Sequence, residues 1–307
     1  VTTWLGELDC AGLAAAIAQN LSILATTQRD LPARHRSMQA VFDYSWQLLT
    51  AREQHTLSVL ALCQGRFSTQ IATQLTGASL INLTGLRYKS LLRIAEAGYY
   101  DLHPLIRGFA VAILDSATQA QTEERLATLY LQQVAAQAVA LYGTMPQAAL
   151  HVIERELDNV QQAWRWAVTK VRIDLLLQSV DTLGEYYAAS GRNAECEANF
   201  LPLAQQLLAQ PVVDEQCALL CLHLLERLSV ALTLQTKLTD AQHWAQKLIA
   251  LAQRCSSREF EARGIYQWGC ALDADGKKVA ARQKFEDALL LARQVEQPRL
   301  LGSILLE

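Results

Sequence analysis

Apolar residues recur at three- and four-residue spacing along almost the whole chain, a period that predicts helices. The first part reads as a helix or pair of helices, Leu8 to Leu24. A polar linker follows, Thr26 to Arg36, carrying Leu31-Pro32 and the cluster Arg34, His35 and Arg36. From Ser37 the pattern tightens. Ser37 caps a predicted helix through Leu49, with Val41, Phe42, Ser45, Trp46 and Leu49 on one stripe. Thr50 and Glu53 have the spacing of a capping box and open a helix to about Cys63, which Gly65 ends. Ser68 caps a third helix to Leu75, ended by Gly77, and Ser79 caps a fourth to about Ser90. Leu91 to Ala95 and Tyr99 to Leu102, joined across Ala97-Gly98, carry the alternation and turn of a β-hairpin.

Short helices with a two-stranded wing predict a winged helix. Beyond Leu105 no strand signal returns, and an internal repeat takes over. Gly269, Leu272, Gly276, Ala281, Phe285, Ala288 and Ala292 match Ser229, Leu232, Thr236, Ala241, Ala245, Leu248 and Ala252 at an offset of 40. At an offset of 85 they match Gly184, Tyr187, Gly191, Cys196, Phe200, Leu203 and Leu207. Small residues recur where paired helices approach, a turn residue recurs between them, and an aromatic recurs in the second helix of two copies. This is the tetratricopeptide pattern, and such a unit buries its apolar face only by stacking on neighbours.

Composition narrows the picture. Of 307 residues, 51% are apolar and 19% charged, enough to build a large core or to cover surfaces against a partner. A net charge of -3 argues against broad capture of nucleic acid. Seven scattered cysteines (Cys10, Cys63, Cys196, Cys217, Cys221, Cys255 and Cys270) form no CxxC pair, which excludes a disulfide framework or a zinc module. Cys217 and Cys221 share a helix face and read as small core residues. The most apolar stretch, Ala218 to Leu234, carries His223, Glu226 and Arg227, so it is read as a buried helix and not a membrane span. The scattered cysteines fit a reducing cytoplasm, and no signal-peptide pattern opens the chain. Both ends break off in mid-pattern, which suggests a piece of a longer protein.

Most catalytic signatures are absent. No GxxxxGK[ST] run is present, so no phosphate-binding loop is expected, and no enzyme activity is assigned. His151 lacks the HExxH pattern, and Glu154, Glu156 and Asp158 read as a charged surface. Asp273 and Asp275 precede Gly276 in an inter-helix turn and do not make an EF-hand. The helix from Ser79 to Lys89 offers Arg87 and Lys89, with Arg93 on the wing. Three cations supply little phosphate affinity, so direct DNA binding is not expected. The repeats are the better binder, for a protein, peptide or small-molecule effector on their concave face. Tyr186, Tyr187, His223, Arg227, Tyr266 and Trp268 are the candidate partner-binding residues, either facing the surface or packed between helices.

Several segments carry a resemblance to a known family. Leu31-Pro-Ala-Arg-His-Arg-Ser-Met-Gln-Ala-Val-Phe-Asp-Tyr-Ser-Trp46 resembles the stretch after the ATPase core of bacterial STAND-class (NB-ARC-like) signal-transduction ATPases, many of them transcriptional regulators with tetratricopeptide sensors. Gly65-Arg-Phe, Ala72, Gly77-Ala-Ser-Leu, Lys89-Ser-Leu-Leu and Tyr100-Asp-Leu-His-Pro-Leu-Ile-Arg107 are similar to that family's winged helix. Ile153-Glu-Arg-Glu-Leu-Asp-Asn-Val-Gln-Gln-Ala-Trp-Arg-Trp-Ala167 resembles the helix that starts its repeats.

The resemblance implies a mostly α chain in three parts. Residues 1–36 would be a helical remnant of the ATPase-associated region, 37–110 a winged helix, and 111–307 a tetratricopeptide-like solenoid of antiparallel helix pairs. It also implies that His103 senses nucleotide phosphates, with ATP or ADP held by an upstream ATPase domain of the parent and no cofactor in this chain. Pro104 stands where the family usually has an acidic residue. The implied role is a non-catalytic sensor and lock; the alternative is a free-standing repeat scaffold with no nucleotide cycle.

Overall fold

A computed structural model describes residues 38–143, 145–209, 214–295 and 302. The expected N-terminal helix, the linker and Cys10 lie outside the described residues. The chain is mostly helical and divides into two compact units, Val1–Leu126 and Ala127–Glu307.

The first unit begins with α1 (Met38–Gln47) and α2 (Ala51–Leu60). Thr50 caps α2 by the expected box: Thr50 N donates to Glu53 Oε2 at 2.8 Å, and Glu53 N donates to Thr50 Oγ1 at 3.3 Å. Then come β1 (Phe67–Ser68), α3 (Thr69–Thr76) and α4 (Leu80–Tyr88). Ser68 Oγ accepts from Ile71 N at 3.2 Å, and Gly77 closes α3 in the left-handed conformation at φ 64°. Asn82 Oδ1 accepts from both Ser79 N and Ser79 Oγ, fixing the start of α4.

The hairpin is β2 (Arg93–Glu96) and β3 (Tyr99–Asp101). It begins later than the alternation suggests, because Leu91 and Leu92 are buried in the core ahead of the strand. β1 is an addition: Phe67 pairs with Tyr100, making a three-stranded antiparallel sheet of order β1-β3-β2. Helices α5 (Pro104–Ile113) and α6 (Ser116–Ala136) follow. Leu57, Leu60, Phe67, Ile71, Leu83 and Leu86 are fully buried, and Phe42 stacks on Phe109 at 4.8 Å between ring centroids.

Glu53 does more than cap. Lys89 Nζ donates to both of its carboxylate oxygens at 2.8 Å, tying the end of α4 to the start of α2. Burial pushes the Glu53 carboxyl up, but Lys89 and the Thr50 donors outweigh it and hold its pKa below the ordinary value. A depressed folded-state pKa stabilises the unit fully above the unfolded value of about 4.3 and is lost as pH falls through the lower folded value. Glu53→Gln is expected to speed amide hydrogen exchange across Ala51–Leu60 by about tenfold at neutral pH. The difference from wild type should shrink under acid, and equal exchange at neutral pH would contradict this reading.

The second unit contains the rest of α6, α7 (Ala138–Leu141), α8 (Pro146–Arg155) and α9 (Leu157–Thr169). Three helix pairs follow: α10 (Ile173–Ala189) with α11 (Asn193–Ala209), α12 (Glu215–Leu234) with α13 (Leu238–Arg254), and α14 (Arg258–Ala274) with α15 (Lys278–Gln294). Each first helix ends on a residue at positive φ: Gly191 at 71°, Thr236 at 59° and Gly276 at 74°. These are the turn positions of the sequence repeat. In each, the next N–H bonds back to the helix: Arg192 to Tyr187 O, Lys237 to Leu232 O and Lys277 to Leu272 O, at 2.8 to 3.0 Å. That is the Schellman closure, and glycine supplies it without strain in two copies of three.

The recurrent small residues sit at close approaches. A Cβ on Gly269 would meet Phe285 Cε1 at 2.6 Å, and one on Gly184 would meet Arg227 Cδ at 2.6 Å. In the middle copy Ser229 Oγ donates across the pair to Ala241 O at 3.0 Å. Among the described residues α12 alone is long and apolar enough to cross a membrane, and 61% of its apolar stretch is buried within the fold. Glu156, expected on a charged surface, is instead buried and accepts from Gln133 Nε2 at 3.1 Å. It stands at the break between α8 and α9.

Candidate functional site

The helices that open each pair carry a row of charged side chains that link one pair to the next. Asp181 and Glu185 come from α10, His223, Glu226 and Arg227 from α12, and Glu259 and Arg263 from α14. Arg227 Nε donates to Asp181 Oδ1 at 3.1 Å and its NH1 to Glu185 Oε2 at 3.0 Å. Its NH2 reaches Tyr142 Oη at 3.2 Å. One helix further on, Arg263 NH1 donates to Glu226 Oε2 at 3.1 Å and NH2 to Glu259 Oε1 at 2.6 Å.

The row follows the repeat. Asp181 and Glu226 occupy corresponding positions of their helices, as do His223 and Arg263. Each carboxylate therefore faces a base three positions earlier on the following first helix. The rung recurs because each pair packs on the next through the same repeat positions.

The electrostatics are strongly coupled. Burial pushes the Asp181 carboxyl up, but the neighbouring His223 imidazole and the Arg227 charge outweigh it and hold the group below the carboxylate range. Burial also works against the charge on Arg227, yet Glu226, Asp181 and Glu185 keep it firmly protonated. His223 Nδ1 lies 3.0 Å from Asp181 Oδ2. That nitrogen is buried and lacks an aligned hydrogen bond. Ligand-type atoms of Asp181, His223 and Glu226 all fall within 4.8 Å of one another. The His223 ring meets the Phe260 ring edge-on at 4.8 Å.

Of the six partner-binding candidates, His223 and Arg227 belong to this row. Tyr186 and Tyr187 do not face the surface: both are 0% exposed, which corrects that reading. Their rings fill the core of α10, and their hydroxyls find partners, Tyr186 on Glu154 and Tyr187 accepting from Asn199 Nδ2 at 3.2 Å. Tyr266 and Trp268 are half-buried against α15. Tyr266 packs on Phe285 at 5.8 Å, and Lys284 Nζ lies 4.8 Å from the Trp268 ring centre, a cation–π arrangement.

In the first unit His103 is exposed and caps α5: Nδ1 accepts from Leu105 N at 3.2 Å, and Pro104 takes the first helical position. With Nδ1 used as acceptor, a neutral ring carries its proton on Nε2. Two of the three cations near the wing are tied within the unit, Lys89 to Glu53 and Arg93 to Asp101 at 2.8 Å. Arg87 lies over the Tyr88 ring, and α4 exposes Leu80, Ile81 and Tyr88.

Asp181, Glu185, Glu259 and Arg263 were not singled out from the sequence, and Glu226 was named only as a charge within an apolar stretch. The signal that could have found them is charge at matching repeat positions inside otherwise apolar helices.

No family model matches this chain, and no curated protein matches it. Among solved structures, the crystal structure of a Signal Transduction ATPase with Numerous Domains (STAND) protein with a tetratricopeptide repeat sensor, from Pyrococcus horikoshii, is similar at 13% identity and a TM-score of 0.34. The likeness covers 98% of this chain and 54% of that one, so the chain spans about half of that structure's length. At that score it carries no argument about fold or function.

Proposed function

We propose that this chain is the non-catalytic regulatory part of a STAND-type signalling ATPase, with a winged helix that locks the nucleotide state and tetratricopeptide repeats that bind an effector. The observation that carries the reading is the recurrence in the three helix pairs, with left-handed residues at matching positions 191, 236 and 276. A stack of this kind presents side chains of successive first helices as one surface. The row from Asp181 to Arg263 lies on those helices and joins neighbouring pairs. An effector that separates or reorders these ion pairs would change how one pair sits on the next. That is the differential contact a two-state switch requires.

For the lock, the reading rests on the resemblance of Tyr100 to Arg107 together with an exposed His103 at a helix start. An imidazole whose Nδ1 is engaged by Leu105 N–H keeps Nε2–H available to donate to a phosphate oxygen. The test uses the full product of the gene, including whatever precedes Val1. His103→Asn keeps a capping side chain while removing the imidazole. It is expected to release bound ADP about tenfold faster, a loss of about 1.4 kcal/mol, at an unchanged melting temperature. Equal ADP retention would remove His103 from the lock. A coding sequence without an adjoining phosphate-binding loop would overturn the whole reading in favour of a free-standing scaffold.

A further inference from the structure

We propose that Asp181, His223 and Glu226 form a site for one divalent transition-metal ion of the zinc class, joining α10 to α12. The inference stands apart from the nucleotide switch proposed above and needs no ATPase domain.

The donor set suits such an ion: one imidazole nitrogen and carboxylate oxygens from two side chains, the mixture that zinc accepts with a water in the fourth place. The atoms are already gathered, all within 4.8 Å of one another. The nitrogen that would face the ion is His223 Nδ1. It is buried without an aligned hydrogen bond, although Asp181 Oδ2 is only 3.0 Å away. Two donor atoms at that separation are spaced like two ligands of one ion. The edge of a tetrahedron with metal–ligand bonds of about 2.0 Å is about 3.3 Å.

The surroundings are of the kind that support a metal. Arg227 Nε holds Asp181 by Oδ1, leaving Oδ2 toward the imidazole. Arg263 holds Glu226 by Oε2, and Phe260 packs edge-on against the His223 ring. Outer partners of this sort fix the orientation of the ligands. Charge points the same way. Asp181, Glu185, Glu226 and Glu259 bring four negative charges to the row, and Arg227 and Arg263 bring two positive ones. Counting those six side chains alone, the surplus is two negative charges, which a dication offsets. The same two guanidiniums repel an incoming cation, so affinity on the order of micromolar is expected, weaker than that of closed structural zinc sites.

The experiment titrates the full chain, stripped with a chelator, first with Co2+ and then with Zn2+. Saturable visible d–d absorption at one equivalent of Co2+, displaced by Zn2+, is the expected result. His223→Ala and Glu226→Gln should each weaken Zn2+ binding by at least about tenfold in calorimetry. His243→Ala, on an exposed histidine of α13, should leave it unchanged. Far-UV circular dichroism checks that each variant is folded, and Glu226→Gln carries the test if His223→Ala is not. Absent d–d bands, or binding equal in wild type and both site variants, would overturn the proposal. Thiolate charge-transfer bands that persist in His223→Ala would do the same, by placing the metal on cysteines.

Discussion

Trp164→Ala is expected to destabilise the second unit by about 4 kcal/mol. The indole is 1% exposed, and its ring lies 4.8 Å from that of Phe200. Phe200 in turn meets Tyr187 at 6.0 Å, so one side chain from α9 anchors the first helix pair. Truncation leaves a cavity that rigid neighbouring helices close only in part, and the cavity term adds to the lost transfer energy. Trp164→Phe should behave differently. The indole Nε1 is buried without an acceptor, so removing it relieves an unmade hydrogen bond while most of the ring contact stays. A cost under about 1.5 kcal/mol is expected for that variant. Urea unfolding followed by far-UV circular dichroism measures both. Equal losses for the two variants would mean that the N–H has a partner and that the ring volume is not the main contribution.

Arg227→Ala is expected to cost about 3 kcal/mol. Its side chain is 13% exposed and engages Asp181, Glu185 and Tyr142 at once. Removing the guanidinium leaves two carboxylates, each about a third exposed, facing one another with no cation between them. Water recovers part of that loss, which holds the estimate at the lower end of the range for a broken buried pair. The aliphatic stem contributes as well, since it covers Gly184 at the crossing of α10 and α12. Arg227→Lys keeps the charge but not the three-way fork, and should fall between wild type and alanine. A double-mutant cycle with Asp181→Asn, run with a chelator present, isolates the pair. Coupling below about 0.5 kcal/mol would show that Arg227 acts by packing alone.

Much of the local structure was legible along the chain, because its causes lie within a few residues. The Thr50–Glu53 box, the Ser68 cap and the Gly77 stop depend on contacts three or four positions apart, and all three occur where the spacing put them. The turn residues at 191, 236 and 276 were legible for a different reason: the same steric demand recurs at a fixed offset, so repetition exposes it.

The repeat register even held the answer for two misjudged residues. Tyr187 matches Leu232 and Leu272, and Tyr186 matches Ala231 and Ala271, all four of them buried. Of the two places left open for these tyrosines, the register points to packing between helices. By contrast, Lys89 meets Glu53 across 36 residues and Arg227 meets Asp181 across 46, and no short window relates such partners.

By itself, then, the amino-acid order determined that the chain is mostly helical, where Thr50, Ser68 and Gly77 start or stop helices of the first unit, and the interval at which helix pairs recur. Only the tertiary structure decided which face of each helix its neighbour covers, and so which polar groups share a row and which are sealed in the core. Period and capping are properties of one helix. The meeting of Asp181, His223 and Glu226 depends on the angle and register between two helices, set by the close approach at Gly184.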